Sequence, residues 1–396
     1  MKKKALIIIN NLHCGGAEKA LISLLETIDY TRYEVDLFLF KHEGLFLRNV
    51  PESVNVLKEP KNYSLFDMSI KKALNLTIKM KRIDLLIYRL LAGLIFKTEK
   101  NKAKCEQRVW KYIRHSLGVL EDEYDLAIGY LEKNPIYFCM EKVKAKRKVG
   151  FIHTHYSQLG MDPRYDRKYF EKLDNIITVS SECAVVLKKI FPACINKIEV
   201  MHNIISPKLI YSLANEKNEL QQIEAIKIVS VGRLNLLKGH DLAIEACKKL
   251  VEEQFNIKWY VIGEGEERRR LELLIRETQL ENHFFLLGVK ENPYSYLKEA
   301  SIYVHPSRFE GKSIAVDEAK ILKKPIILTK FSTAKDQIQN EKNGLIVEMQ
   351  AESIAAAVKR LLQNEKLRNS LINNLSKESL GTEAEIEKFY SLFQVG

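Results

Sequence analysis

Short apolar runs alternate with helical periodicity along the chain, which is the pattern of repeated strand-helix units. The first run, Ala5-Leu6-Ile7-Ile8-Ile9, stops at Asn10-Asn11 and is followed by Leu21, Leu24, Leu25 and Ile28 at helical spacing. Further strands are predicted at residues 35–40, 54–57, 124–130, 147–153, 175–180 and 197–203, with Ser180-Ser181 capping a helix. A second series begins at residues 226–231 and continues at 259–262, 284–287 and 300–304; between the two series the polar run 211–222 reads as a linker. The pattern predicts two doubly wound α/β domains, residues 1–205 and 206–375, with a boundary near Ser206 and a helical segment, 376–396, after them.

One stretch departs from this rhythm. Residues 70–117 are helical and basic, with Lys71, Lys72, Lys79, Lys81, Arg82 and Lys97 interleaved with Leu85-Leu86-Ile87 and Leu90-Leu91. Such a segment either packs on the sheet with a solvated basic face or lies on an anionic membrane surface. The whole chain carries 63 Lys and Arg against 51 Asp and Glu, a net charge of +12, which calls for an anionic partner. No nucleic-acid module is recognisable, so nucleic acid is not expected. No apolar run reaches the roughly 18 residues a spanning helix needs. The lysine-rich start reads as a first buried strand, not a leader. Six scattered cysteines with no Cys-x-x-Cys pair suggest neither zinc nor disulfides and fit a cytoplasmic protein.

The candidate chemistry gathers at strand ends. Ser307-Arg308-Phe309-Glu310-Gly311-Lys312-Ser313-Ile314 follows an apolar strand and leads into a helix that carries Glu318 and stops before Pro325. The free N–H groups of Gly311, Lys312, Ser313 and Ile314 at that helix start favour an anion. Glu310 and Glu318 are eight positions apart, about 80° beyond two turns on an ideal helix. They converge on one ligand only if Glu310 sits in the loop and Glu318 in the second helical turn. Arg233 and Lys238 follow the strand 226–231 and offer a guanidinium fork and a point charge to phosphate; Asp241 is placed to cap the next helix. Gly15 and Gly16 lie between the first strand and helix, Gly263 and Gly288 end two later strands, and His153 ends another, with His155 two residues on. Each of these glycines also serves an ordinary turn, and a lone histidine is commonly structural.

Taken together, Gly-Gly-Ala-Glu at residues 15–18, Gly-Arg-Leu-x4-Lys-Gly at 232–239 and the Glu310-to-Glu318 stretch resemble family 4 retaining glycosyltransferases of the kind that build bacterial surface polysaccharides. The resemblance is clearest over residues 233–347. It implies the GT-B architecture, with the two domains facing a cleft. The N-terminal domain would bind the acceptor, the C-terminal domain a nucleotide diphosphate sugar with UDP favoured, and the last helix would cross back to the first domain. It implies a metal-independent hexosyl transfer, with no cofactor, to a glycan or lipid-linked hydroxyl. Arg233, Lys238 and residues 311–314 would hold the diphosphate with Gly15 and Gly16, Gly263 and Gly288 would meet the base, Glu310 the donor sugar, Glu318 the ribose, and His153 the sugar pocket. Lys312-Ser313 stands where the family usually has Phe-Gly, which adds a charge near the donor. A nucleotide-sugar 2-epimerase, a sugar phosphorylase and a non-catalytic assembly partner at the membrane share the architecture and remain alternatives.

Overall fold

The computed structural model describes residues 2–13, 15–378 and 380–394. The chain forms two compact units, Met1–Ile204 with Glu383–Gly396, and Ile205–Thr382.

In the first unit seven strands make one parallel sheet: β1 Lys3–Ile9, β2 Tyr33–Leu39, β3 Val54–Val56, β4 Glu123–Gly129, β5 Lys144–Ile152, β6 Asn175–Thr178 and β7 Ile198–Val200. Their order, β3-β2-β1-β4-β5-β6-β7, is doubly wound with its switch point between β1 and β4. The run Ala5 to Ile9 is continuous because both faces of the strand are covered, leaving all five side chains fully buried. Ser180 caps the helix Ser181–Ile190, its hydroxyl accepting the Cys183 N–H at 3.2 Å. The five cysteines among the described residues are buried and free.

The C-terminal segment, Glu383–Glu385 and then Ile386–Ser391, belongs to this unit. Tyr390 stacks on Tyr33 with ring centroids 4.6 Å apart, and Phe389 is fully buried. Residues 70–117 contain three helices, Ile70–Lys79, Ile83–Thr98 and Lys102–Ile113; Lys81, at φ 54°, makes the first turn between them.

The second unit repeats the plan with β8 Ile226–Val231, β9 Ile257–Ile262, β10 Phe284–Leu286, β11 Ile302–His305, β12 Ile326–Thr329 and β13 Leu345–Val347. The order β10-β9-β8-β11-β12-β13 puts the switch point between β8 and β11.

Residues 211–222 are not a linker. They contain the end of the helix Pro207–Ala214 and the turn Glu219–Gln222, and Ile210, Ala214 and Leu220 are buried in the second unit's core. The polar residues of the run serve the fold: the Tyr211 hydroxyl donates to the Ile321 carbonyl at 2.7 Å, and Glu219 accepts from Tyr296 at 2.6 Å.

Candidate functional site

The site residues of the second unit sit on the loops that leave β8 and β11, the two strands flanking the switch point, where open parallel sheets leave room for a ligand. The β8 loop runs from Gly232 to Gly239. Asn235 accepts the Lys238 N–H at 3.1 Å, folding Leu236–Lys238 into one tight turn. Gly239 then takes φ 64°, and a Cβ there would lie 2.0 Å from the Pro306 carbonyl oxygen. Only glycine lets the β8 loop touch the β11 loop this closely. A bidentate pair fastens the two loops again: Arg308 donates to Asp241 at 2.7 and 2.8 Å and to the Leu236 carbonyl at 3.0 Å. Asp241 is therefore committed to Arg308, and the helix His240–Glu252 starts at Gly239 with no side-chain cap, contrary to the expected Asp241 cap.

This contact brings Lys238 onto Glu310. The Lys238 ammonium pairs with Glu310 Oε1. His305 Nε2 lies 2.7 Å from the same oxygen, and the Ser307 hydroxyl donates to it at 3.2 Å. Burial works to raise the Glu310 pKa, but the His305 hydrogen bond and the Lys238 charge outweigh it and bring it down to about 2. His305 is itself pushed down by burial, against the pull of Glu310. It is thus a neutral imidazole donating Nε2–H to Glu310 and accepting the Tyr303 hydroxyl at Nδ1, 3.0 Å away. Three contacts fall on Oε1, and Glu310 Oε2 meets no donor among the described residues.

Glu310 lies in the loop and Glu318 in the second turn of the helix Ile314–Ile321. Glu318 is 2% exposed and accepts the Tyr294 hydroxyl at 3.1 Å. Burial raises the Tyr303 phenol, and the charges of Glu318 and Glu310 raise it further.

The helix start is less open than the sequence suggests. Gln337 accepts the Ser313 N–H at 3.0 Å and returns its amide to the Ser313 carbonyl at 2.8 Å, so Ser313 offers its N–H to the fold and not to a ligand. The N–H groups of Gly311, Lys312 and Ile314 meet no acceptor among the described residues. Lys312 lies 3.5 Å from Asp317, which offsets part of its added charge. Arg233 is exposed, and its guanidinium makes no ion pair among the described residues. Its carbonyl lies 3.2 Å from Nε2 of the buried His240, whose pKa burial lowers to about 4. Gly263 and Gly288 form an antiparallel bridge at the ends of β9 and β10, with the Gly263 N–H on the Gly288 carbonyl at 2.9 Å. Gly263, at φ 152°, presses on Gly232, whose carbonyl oxygen a Cβ would meet at 1.9 Å.

Gly15, Gly16 and His153 belong to the first unit. Gly16 begins the helix Gly16–Thr27 and Gly15 precedes it. A Cβ on Gly15 would meet a Glu18 carboxylate oxygen at 1.9 Å, so this helix start already carries a negative charge of its own. His153 leaves β5 with both ring nitrogens buried and without a hydrogen bond of good geometry among the described residues; burial lowers its pKa to about 4 despite the Glu132 charge. Tyr130 packs on its ring at 4.7 Å. Glu132, unnoticed in the sequence, fixes the turn by accepting the His153 and Thr154 N–H groups at 2.9 and 3.0 Å. His155 faces the Ser157 hydroxyl, 2.9 Å from Nδ1. Sequence reasoning also missed His305, although its place at the end of a strand is the one that singled out His153.

Residues 214–378 match the family described as glycosyl transferases group 1. An N-acetylgalactosamine-N,N'-diacetylbacillosaminyl-diphospho-undecaprenol 4-alpha-N-acetylgalactosaminyltransferase of Campylobacter jejuni is 31% identical over 206 residues, 52% of this chain and 55% of that protein. The poly(ribitol-phosphate) alpha-N-acetylglucosaminyltransferase of Staphylococcus aureus is 27% identical over 269 residues, 63% of this chain and 51% of that protein. The chain spans about half the length of the curated relatives it matches. In fold, it resembles the Anabaena protein HepE in complex with UDP-glucose, with a TM-score of 0.67, 16% identity and 98% of each chain covered. The two parallel-sheet units thus have the GT-B fold.

Proposed function

We propose that the chain, whose residues 214–378 match the family described as glycosyl transferases group 1, transfers a sugar, with retention and without a divalent ion, from a nucleotide diphosphate sugar to an acceptor hydroxyl. The observation that carries this reading is the Lys238–Glu310 pair, held where the β8 and β11 loops touch, beside the open N–H groups of Gly311, Lys312 and Ile314.

The unpaired Arg233, Lys238 and these N–H groups bind the diphosphate. They stabilise the charge that grows on the leaving phosphate as its bond to the anomeric carbon breaks. Supplied by fixed side chains and backbone, this positive field does the work a divalent ion does in other sites. Glu310, kept ionised, offers Oε2 to a donor-sugar hydroxyl, while Lys238 and His305 hold Oε1. Glu318 accepts from the ribose. Gly263 and Gly288 let the base approach backbone groups. The role the resemblance gives His153, lining the sugar, is supported by its two unsatisfied ring nitrogens.

UDP is favoured as the nucleotide because the HepE structure holds UDP-glucose. A lipid-linked or polysaccharide-precursor glycan is favoured as acceptor because the Campylobacter relative is named for a diphospho-undecaprenol substrate.

Thermal-shift binding of UDP, GDP, ADP and their sugars, with EDTA present, tests the reading. One nucleotide should stabilise the wild type, by about 2.7 kcal/mol at a hundredfold excess over Kd. Arg233→Ala and Glu318→Gln should each weaken that shift. Silence across the panel would leave a non-catalytic protein of the same fold, and a shift that appears only when a divalent ion replaces EDTA would refute the metal-independent reading.

A further inference from the structure

We propose that the helices Ile70–Lys79 and Ile83–Thr98 form a membrane-docking surface that inserts apolar side chains into an anionic bilayer while neighbouring lysines meet the headgroups. Of the nineteen large apolar side chains exposed among the described residues, eleven lie within residues 70–96. Exposed apolar residues scattered singly need no explanation, but a concentration on two adjacent helices does.

The helix Ile83–Thr98 has two apolar stripes. Leu85 and Ala92 face inward and are fully buried. Arg89 shares that stripe and donates to the Leu65 and Met68 carbonyls at 3.0 and 2.7 Å, which pins the helix to the segment ahead of Ile70–Lys79. On the other side Ile83, Ile87, Leu90 and Leu94 recur at helical spacing and are 65%, 53%, 44% and 60% exposed. The preceding helix repeats the arrangement, with Ala73 and Thr77 buried and Ile70, Leu74 and Ile78 exposed. An outward stripe of this kind has no reason to face water.

Charge selects the occupant. Lys71, Lys72, Lys79, Lys81 and Lys97 are exposed around the stripes. The one acidic residue of the two helices, Asp84, is already neutralised by a bidentate Arg82 at 2.8 and 2.7 Å. A second copy docking here in a symmetric pair would set this basic rim against itself, whereas an anionic lipid surface complements it. No helix among the described residues is long and apolar enough to cross a membrane, so these helices lie along the interface. The surface stands independently of the donor site, although a lipid-linked acceptor would give it a use.

Flotation of the full chain with phosphatidylglycerol-containing vesicles, and with phosphatidylcholine alone, tests this at low salt and at about 0.5 M salt, where the Debye length is about 4 Å. Wild type should bind the anionic vesicles at low salt and keep a measurable fraction bound at high salt, because inserted side chains are not screened. Ile83→Ser with Ile87→Ser should weaken binding about tenfold or more at both salts, without lowering the melting temperature, since both positions are exposed. Lys71→Gln with Lys72→Gln should weaken it at low salt only. No binding would overturn the proposal, as would binding that high salt abolishes and the serine pair leaves intact. So would a lipid-free dimer, seen by sedimentation equilibrium, that the serine pair dissolves. Nucleotide shifts on the same samples report the donor site separately, so either reading can fail alone.

Discussion

Burial works to raise the Glu310 pKa, yet the His305 hydrogen bond and the Lys238 charge bring it down to about 2. The folded pKa lies below the unfolded value of about 4.3, so the ionised group stabilises the fold fully above that pH and loses its contribution as pH falls towards 2. Glu310→Gln leaves Lys238 without its partner and His305 with a weaker acceptor. The substitution should cost about 1–3 kcal/mol at pH 7, read from urea unfolding. The gap to wild type should close between about pH 4 and pH 2; a gap that stays constant with pH would mean that the ion pair is not its source. His305 is expected to act only through Glu310, because its ring is buried and both of its nitrogens are engaged within the protein.

At the scale of elements, Gly239 and Gly263 carry the close approaches of the site. Gly239 has φ 64° and room for a hydrogen only, with Pro306 against it. Gly239→Ala should therefore destabilise the second unit by more than about 1 kcal/mol and, by moving Lys238 off Glu310, reduce the nucleotide-induced thermal shift. If stability falls while the shift survives, Lys238 is not placed by this loop. The strands were legible in the sequence because burial on both faces leaves unbroken apolar runs, as in β1. The order of the β8 and β11 loops was legible because glycine, arginine and glutamate at strand ends each carry a physical reason. What was not legible depends on partners distant in sequence. Asp241 looks like a cap until Arg308, 67 residues on, takes its carboxylate. Ser313 looks like an anion donor until Gln337 takes its N–H. The run 211–222 is polar enough for a linker, and only its few buried residues reveal that it belongs to a core. β12 and β13 were missed although Ile326-Ile327-Leu328 and Leu345-Ile346-Val347 are apolar runs and the two strands are no shorter than β3 and β10.

At the scale of the whole molecule, the chain enters the second unit at Ile205 and leaves it at Thr382, so the last residues complete the first unit's core. Tyr390 stacks on Tyr33 and its hydroxyl accepts the Asp29 N–H at 2.9 Å. Phe389 packs on Phe393 and Tyr390 with no exposed surface, and Glu385 accepts the His202 N–H at 2.8 Å. The segment is short, so its hold rests on these few aromatic contacts more than on helix propensity. Phe389→Ala opens a cavity among them and should cost about 3–5 kcal/mol, and it should do so in the first unit, where all of those contacts lie. The second-unit residues proposed to bind the nucleotide lose nothing by it. Calorimetry with and without the stabilising nucleotide should then show a lowered transition that the nucleotide does not restore, beside a nucleotide-dependent shift of wild-type size. A single transition that falls with the mutation and recovers fully with nucleotide would show instead that the two units unfold as one cooperative body.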